Sequence, residues 1–146
     1  NGPYSLIGEN KMADVVLNQT LFNGDRKLIT HYNNVSDSTG GTTTIVDATA
    51  AANQRSDGTS LSKVVLNKIW YSVSMTAKVD SVRLVWDADT DATFLTLEGD
   101  GYLDYSSIGG LKNNNATGVT GDVKFVFPAC TSGDSATITC EWLKVY

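Results

Sequence analysis

The sequence predicts an all-β protein, a single-domain β-sandwich with a jelly-roll-like arrangement of about seven or eight strands. The chain of 146 residues is rich in threonine, serine, asparagine and glycine, whereas a helical bundle would need more alanine, leucine, glutamate and lysine. Its hydrophobic content of 41% and its modest net charge of −5 argue against disorder. Short β-branched or aromatic runs also alternate with turn residues at a spacing typical of sandwiches and jelly rolls.

The first half of the chain supplies three predicted strands. Residues 26–33 alternate apolar and polar positions after an Asn-Gly turn, and residues 42–46 form a β-branched run after a Gly pair. Residues 47–54 contain four alanines and form the one plausible helical stretch, although two turns are marginal without packing. Residues 63–74 are rich in valine, isoleucine and aromatics, and the length of this strand predicts a bulge near Asn67.

The second half supplies the remaining strands. Residues 78–86, 122–127 and 137–145 each alternate apolar side chains over the length of a strand. Residues 93–97 centre on a phenylalanine between threonines, and residues 102–105 are a short aromatic run. These segments complete the predicted sandwich.

The chain is predicted to form one domain, residues 12–146, preceded by an extension, tag or arm at residues 1–11. Met12 begins a segment that reads like a translation start, and no Pro-rich or Ser-rich linker divides the rest. Residues 109–121 form the longest predicted loop. The acidic balance and the absence of a Lys/Arg cluster predict neither nucleic-acid nor membrane partners.

Two cysteines are too few for a disulfide scaffold. A turn centred on Gly133 would place Cys140 opposite position 126 rather than opposite Cys130. Bridged Cα atoms must lie within about 7 Å of each other, so free thiols are the predicted state. The alternatives are a bond made after rearrangement of the loop and an intermolecular bond.

Four acidic residues match part of a calcium-binding loop. Asp87, Asp89, Asp91 and Glu98 fall at positions 1, 3, 5 and 12 of that loop, where oxygen ligands surround the ion. Position 6 requires a glycine for the sharp turn, and the chain has Ala92 there. A polar turn between two strands is therefore the preferred interpretation, and no metal or cofactor is predicted.

The sequence contains no recognisable set of catalytic residues. Glu98, Asp100 and Asp104 are acids near strand ends, and a hydrolase would need two of them facing each other across a cleft. His31 is the single histidine, and no G-x-S-x-G nucleophile elbow occurs. The chain is accordingly predicted not to be an enzyme.

The large aromatic residues lie within strongly apolar strands. Trp70, Tyr71, Trp86 and Trp142 are therefore predicted to pack in the core or in a subunit interface. The alternative is a sugar-binding platform, which requires an exposed aromatic pair beside polar groups.

Six short segments occur in an order that resembles a known group of proteins. They are 12–14 (MAD), 68–72 (KIWYS), 82–88 (VRLVWDA), 109–114 (GGLKNN), 118–123 (GVTGDV) and 131–138 (TSGDSATI). Together they resemble small β-rich virion structural proteins of tailed bacteriophages, of the head decoration or cement type.

The resemblance implies a non-enzymatic protein that stabilises the head shell by protein–protein contacts. It further implies the major capsid protein or other virion proteins as partners, a homo-oligomeric state, and a place in the virion after assembly in the host cytoplasm. Two alternatives stay open. One is a carbohydrate-binding module on a tail fibre or surface appendage. The other is a self-assembling filament subunit, in which residues 1–11 add a strand to a neighbour.

Overall fold

A computed structural model describes residues 13–113 and 117–146, and these form nine β-strands in two antiparallel sheets. The strands are β1 (Val15–Asn23), β2 (Lys27–Val35), β3 (Gly41–Val46), β4 (Lys63–Ser74), β5 (Val82–Trp86), β6 (Ala92–Leu97), β7 (Gly99–Asp104), β8 (Val123–Phe127) and β9 (Ser135–Val145). Helical structure in the described residues is limited to 3-10 turns, at Ala51–Asn53 and Ser106–Ile108. The all-β prediction is confirmed.

The strand order is that of a jelly roll with one additional strand. The five-stranded sheet runs β1-β2-β9-β4-β7 and the four-stranded sheet runs β3-β8-β5-β6. Without β1, the chain crosses between the sheets so that its first and last strands, β2 and β9, are neighbours. Two interlocked Greek keys produce this order, and the predicted jelly-roll-like sandwich is therefore confirmed.

The core lies between the inner faces of the two sheets. Along β2 the buried side chains alternate with partly exposed ones, as expected for a strand that covers a core on one side. Tyr32 of the five-stranded sheet meets Phe125 of the other sheet edge to face, with ring centroids 5.2 Å apart. Burial raises the pKa of Tyr32 to about 12. Beside this pair, the indole Nε1 of Trp142 donates a hydrogen bond of 3.0 Å to Thr30 Oγ1.

A bulge in β4 sets which side chains face the core. The register with β9 shifts between Leu66 and Lys68, so Asn67 is an extra residue, as the length of the strand predicts. Its amide Nδ2 donates a 2.6 Å hydrogen bond to Glu141 Oε2 on β9. Beyond the bulge the odd-numbered positions face inward, and Trp70 therefore points out of the sandwich.

Three local expectations are wrong. Strand β1 is absent from the prediction, although an apolar run precedes the Asn-Gly turn that joins β1 to β2. Strand β5 begins at Val82 rather than at position 78, because residues 78–79 form a turn. Residues 47–54 contain a 3-10 turn rather than an α-helix. The Asp47 carboxylate there accepts hydrogen bonds from the backbone and hydroxyl of Thr49, and this favours a turn.

The predicted alignment of the two cysteines is also wrong, although their predicted free state is confirmed. Strands β8 and β9 are not a hairpin, because they belong to different sheets. Cys140 consequently pairs with Thr30 and Ile69 in the five-stranded sheet, rather than with position 126. The thiol of Cys140 is fully buried, and this burial raises its pKa.

Candidate functional site

Two aromatic side chains stand together on the outer face of the five-stranded sheet. Trp70 on β4 and Tyr102 on β7 are direct cross-strand partners. Their rings are stacked, with centroids 5.2 Å apart and planes inclined by 29°. Trp70 is nevertheless 42% exposed and Tyr102 48% exposed. The pair therefore keeps a large aromatic surface in contact with water.

Polar side chains surround this pair on the same face. Three hydrogen bonds between neighbouring strands, each 2.8 Å long, join Ser72 Oγ to Asp100 Oδ1, Thr137 Oγ1 to Asn33 Oδ1, and His31 Nδ1 to Thr139 Oγ1. These bonds fix the side chains in place, because each residue also belongs to a regular strand. We call the aromatic pair and these six polar residues the aromatic face.

A shallow hollow adjoins Trp70 on the aromatic face. Its volume is about 220 Å³, and its lining combines aromatic, hydroxyl and glycine residues: Trp70, Tyr71, Ser72, Gly101, Thr137 and Thr139. The hollow thus offers an indole surface together with hydroxyl groups. Such a combination is typical of sites that bind a ligand with one apolar side and several polar groups.

The remaining aromatic candidates are buried or partly buried. Trp142 is fully buried, and Trp86 stacks on Phe94 with centroids 3.8 Å apart. Tyr71 is partly buried against the core. Trp70 departs from this pattern because the bulge turns it outward. The sequence does not predict a role for its partner Tyr102, although Tyr102 shares the exposed face of β7 with Asp100 and Asp104.

A second exposed surface is the free edge of the five-stranded sheet, which we call the β1 edge. Among the described residues β1 pairs with β2 alone, and every residue of β1 is exposed. Five of these residues are large and apolar, with exposed fractions of 43–60%: Val15, Val16, Leu17, Leu21 and Phe22. At the opposite edge, β7 carries Asp100 and Asp104, charges that discourage edge pairing.

The four acidic residues considered as calcium ligands do not surround a common point. Lys124 Nζ lies 2.9 Å from an Asp87 carboxylate oxygen and 2.7 Å from an Asp91 one, so an ammonium group supplies the positive charge there. Its hydrogen bond lowers the pKa of Asp91, and the bonds to Asp91 and Asp87 raise the pKa of Lys124. Glu98 lies beyond the far end of β6, about 23 Å from Asp91 at strand spacing. The part of the chain that the structure describes contains no group of three or more His, Cys, Asp or Glu that could hold a metal.

Near one corner of the sandwich are buried oxygen atoms that lack a donor among the described residues. They are Asp14 Oδ2, Asp37 Oδ2 and Asn34 Oδ1. Asp14 and Asp37 are neighbours, because the Asp37 backbone N–H donates a 2.8 Å hydrogen bond to Asp14 Oδ1. Oxygen atoms of this kind suit water or a hard cation, but three are fewer than the six to eight that calcium takes.

The acids considered for catalysis have structural partners or are exposed. The backbone N–H and side chain of Ser106 bond to Asp104 and lower the pKa of its carboxyl group. Asp100 accepts the Ser72 bond, and Glu98 is exposed. Asp100 and Asp104 lie about 13 Å apart along β7, beyond the roughly 5–9.5 Å that separates paired catalytic carboxylates.

Comparison with known proteins gives no relative. No protein family matches the chain, and neither a curated protein nor a solved structure matches it significantly. Within the described residues, no helix has the length and apolar character needed to cross a membrane.

Proposed function

We propose that the protein is a non-enzymatic virion structural protein of the decoration or cement type, which acts through protein–protein contacts. The observation that carries this proposal is the β1 edge. Among the described residues, β1 is a nine-residue strand with one unpaired edge and with apolar side chains on both faces, which is a liability for an isolated monomer. It suits a protein whose edge is covered after assembly.

The β1 edge offers two kinds of contact. The backbone N–H and C=O groups that have no partner in the described part of the chain can add a strand from a partner molecule, which provides directional hydrogen bonds. Leu17 and Phe22 face the outer side, in register with Asn33 and Ile29 of β2, whereas Val16 faces the inner side. A partner strand would therefore gain apolar contacts on both sides. We propose a second copy of this chain as that partner.

The fold and the residue chemistry are consistent with a structural role. Jelly rolls occur in viral capsid proteins as well as in lectins, although a fold does not by itself determine function. Many copies on one particle would make modest contacts sufficient through multivalency. The major capsid protein is the proposed second partner, and the virion is the proposed location.

The oligomeric state of the purified chain tests the role of the β1 edge. Light scattering after size-exclusion chromatography should give an oligomer for the wild type and a monomer for Leu17→Lys, because a charge in the strand opposes edge pairing. Ile108→Lys is the matched control, since Ile108 is also an exposed apolar residue but lies outside β1. A monomeric wild type, or equal loss of assembly in both variants, would contradict the proposed contact.

Particle composition tests the location. Quantitative mass spectrometry of purified virions that encode this chain should find it in many copies per particle. Its removal should lower the temperature at which the heads release their DNA. If the chain is absent from intact particles, the proposed location is wrong even if the chain assembles through β1.

A further inference from the structure

We propose that the aromatic face is a carbohydrate-binding site, in which Trp70 stacks against a sugar ring and the surrounding polar residues bind its hydroxyl groups. This site is separate from the β1 edge and does not depend on the assembly proposed above. Its ligand class is an uncharged or amino-containing oligosaccharide.

The first argument is the pairing of the two aromatic residues. Neither ring is needed in the core, because the inner face of β4 is filled by Ile69, Tyr71 and Val73. The exposure of two adjacent aromatic rings to water is unfavourable in free energy, so a ligand that covers them would be stabilised. The C–H groups on one side of a pyranose ring are apolar, and they can cover an indole in the way that another aliphatic group would.

The second argument is the chemistry around the rings. A face that docks a protein is expected to place its aromatic anchors in an apolar core with few charges. Here hydroxyl, amide, imidazole and carboxylate groups flank the pair instead. Among the described residues, Asp100 Oδ2 and Asn33 Nδ2 have no partner within the protein, so an acceptor and a donor are available to a ligand. Sugar hydroxyl groups can both donate and accept.

The third argument is charge. A single-stranded nucleic acid could also stack on exposed aromatics, but such sites add a basic groove that follows the phosphates. Asp100 and Asp104 flank Tyr102 on β7, and the whole chain carries a net charge of −5. These carboxylates would repel a polyanion, although Lys68, the cross-strand partner of Asp104, offsets part of the charge of Asp104. They would attract, or leave unaffected, an amino sugar or a neutral sugar.

The fourth argument is size. The hollow of about 220 Å³ is smaller than the roughly 300–1,000 Å³ of pockets that enclose a drug-sized ligand, so it fits one ring rather than a whole oligosaccharide. The outward row that contains Trp70 continues through Thr139 and His31 to Gln19 on β1. From Tyr102 to Gln19 this row crosses four strand spacings, about 19 Å. A linear chain of several sugars could therefore lie across the strands.

Glycan binding by the full chain tests the proposal. The probes are an array of neutral, amino and acidic oligosaccharides, together with insoluble cellulose, chitin and peptidoglycan. Any short soluble oligosaccharide that binds is then titrated by calorimetry, so that oligomerisation does not alter the affinity per site. We expect Trp70→Ala to weaken binding by about tenfold or more, which corresponds to the loss of one aromatic contact.

Three further variants separate stacking from folding. Trp70→Phe retains a ring and should keep most of the affinity, and so should Tyr102→Phe. Val79→Ala is the matched control, because it shortens another exposed apolar side chain that lies outside both the aromatic face and the β1 edge. Its affinity should equal that of the wild type. Thermal melting of each variant checks that the fold is retained.

Tryptophan fluorescence reports directly on the contact. Trp70 is 42% exposed, whereas Trp86 and Trp142 are buried, so acrylamide should quench Trp70 preferentially. A bound oligosaccharide should protect it, and Trp70→Phe should abolish the protection. The proposal is overturned if no glycan binds the wild type, or if Trp70→Ala and Val79→Ala bind equally. It is also overturned if Trp70→Ala abolishes self-association and leaves glycan binding intact.

Discussion

The hydrogen bond between Trp142 and Thr30 provides a quantitative test of how the five-stranded sheet is held together. The two residues lie on the adjacent strands β9 and β2 of this sheet, and both are essentially inaccessible to water. Thr30→Val removes the hydroxyl acceptor but keeps a β-branched side chain of the same shape, so strand propensity and packing change little. The indole N–H of Trp142 then stays buried without a partner.

The expected loss in the free energy of unfolding follows from that unpaired N–H donor. An unsatisfied buried polar group costs about 1–3 kcal/mol. Burial of the added methyl group stabilises the variant by less than about 1 kcal/mol. We therefore expect Thr30→Val to lower the free energy of unfolding by about 1–2 kcal/mol. For a chain of this size that is a decrease in Tm of roughly 2–8 °C.

Chemical denaturation monitored by circular dichroism measures this change, and a double-mutant cycle assigns it. Trp142→Phe removes the donor and leaves the Thr30 hydroxyl unpaired, whereas the double variant leaves neither group unpaired. The coupling energy should be about 1 kcal/mol. Thr96→Val, at an exposed strand position on β6, is the control and should stay within about 0.5 kcal/mol of the wild type. An unchanged or increased stability of Thr30→Val, or zero coupling, would refute the reasoning.

Two other perturbations have defined outcomes. Gly121 has φ +89°, and a Cβ there would lie 2.2 Å from the Ser62 carbonyl oxygen, whereas Gly58 has φ +90° and open space around it. Thermal melts should show a loss of about 1–2 kcal/mol for Gly58→Ala, from backbone strain alone, and about 1–3 kcal/mol more for Gly121→Ala; equal losses would contradict the predicted steric clash. The second perturbation concerns pH. The pKa of Asp91 is held below its ordinary value of 3.8, chiefly by the hydrogen bond from Lys124, so its stabilising contribution is present above pH 3.8 and is lost as the pH falls through the lower folded value. Lys124→Met should therefore reduce the difference in unfolding free energy between pH 7 and pH 2, and an undiminished difference would show that the Lys124 contact does not stabilise the ionised form.

Local patterns predicted most strands because alternation and turn residues are properties of short segments. The β4 strand was predicted with its observed bounds and with its bulge. Which face of this strand is exposed could not be predicted, because both of its faces carry aromatic residues. Asn67 reverses the alternation, so that Tyr71 packs inward and Trp70 becomes exposed. One inserted residue in a ladder therefore places the indole on the outer face.

The edge strand illustrates a different limit. β1 carries a β-branched and apolar run before a hairpin turn, and this signal was present in the sequence. Its exposure, however, depends on which strands occupy the positions beside it. The four-stranded sheet is one strand narrower than the five-stranded sheet, and every residue of β1 is exposed. Sequence periodicity cannot report such a difference in sheet width.

Composition and alternation were sufficient to establish an all-β chain, its sandwich class and most of its strands, because these features arise from side-chain patterns over five to twelve residues. Long-range pairing determined the rest. It placed β8 and β9 in different sheets, which separates the surroundings of Cys130 and Cys140. It also brought Tyr102 beside Trp70, although 32 positions separate them in the sequence. Contacts of this kind depend on how the strands cross between sheets, and no local pattern records that crossing.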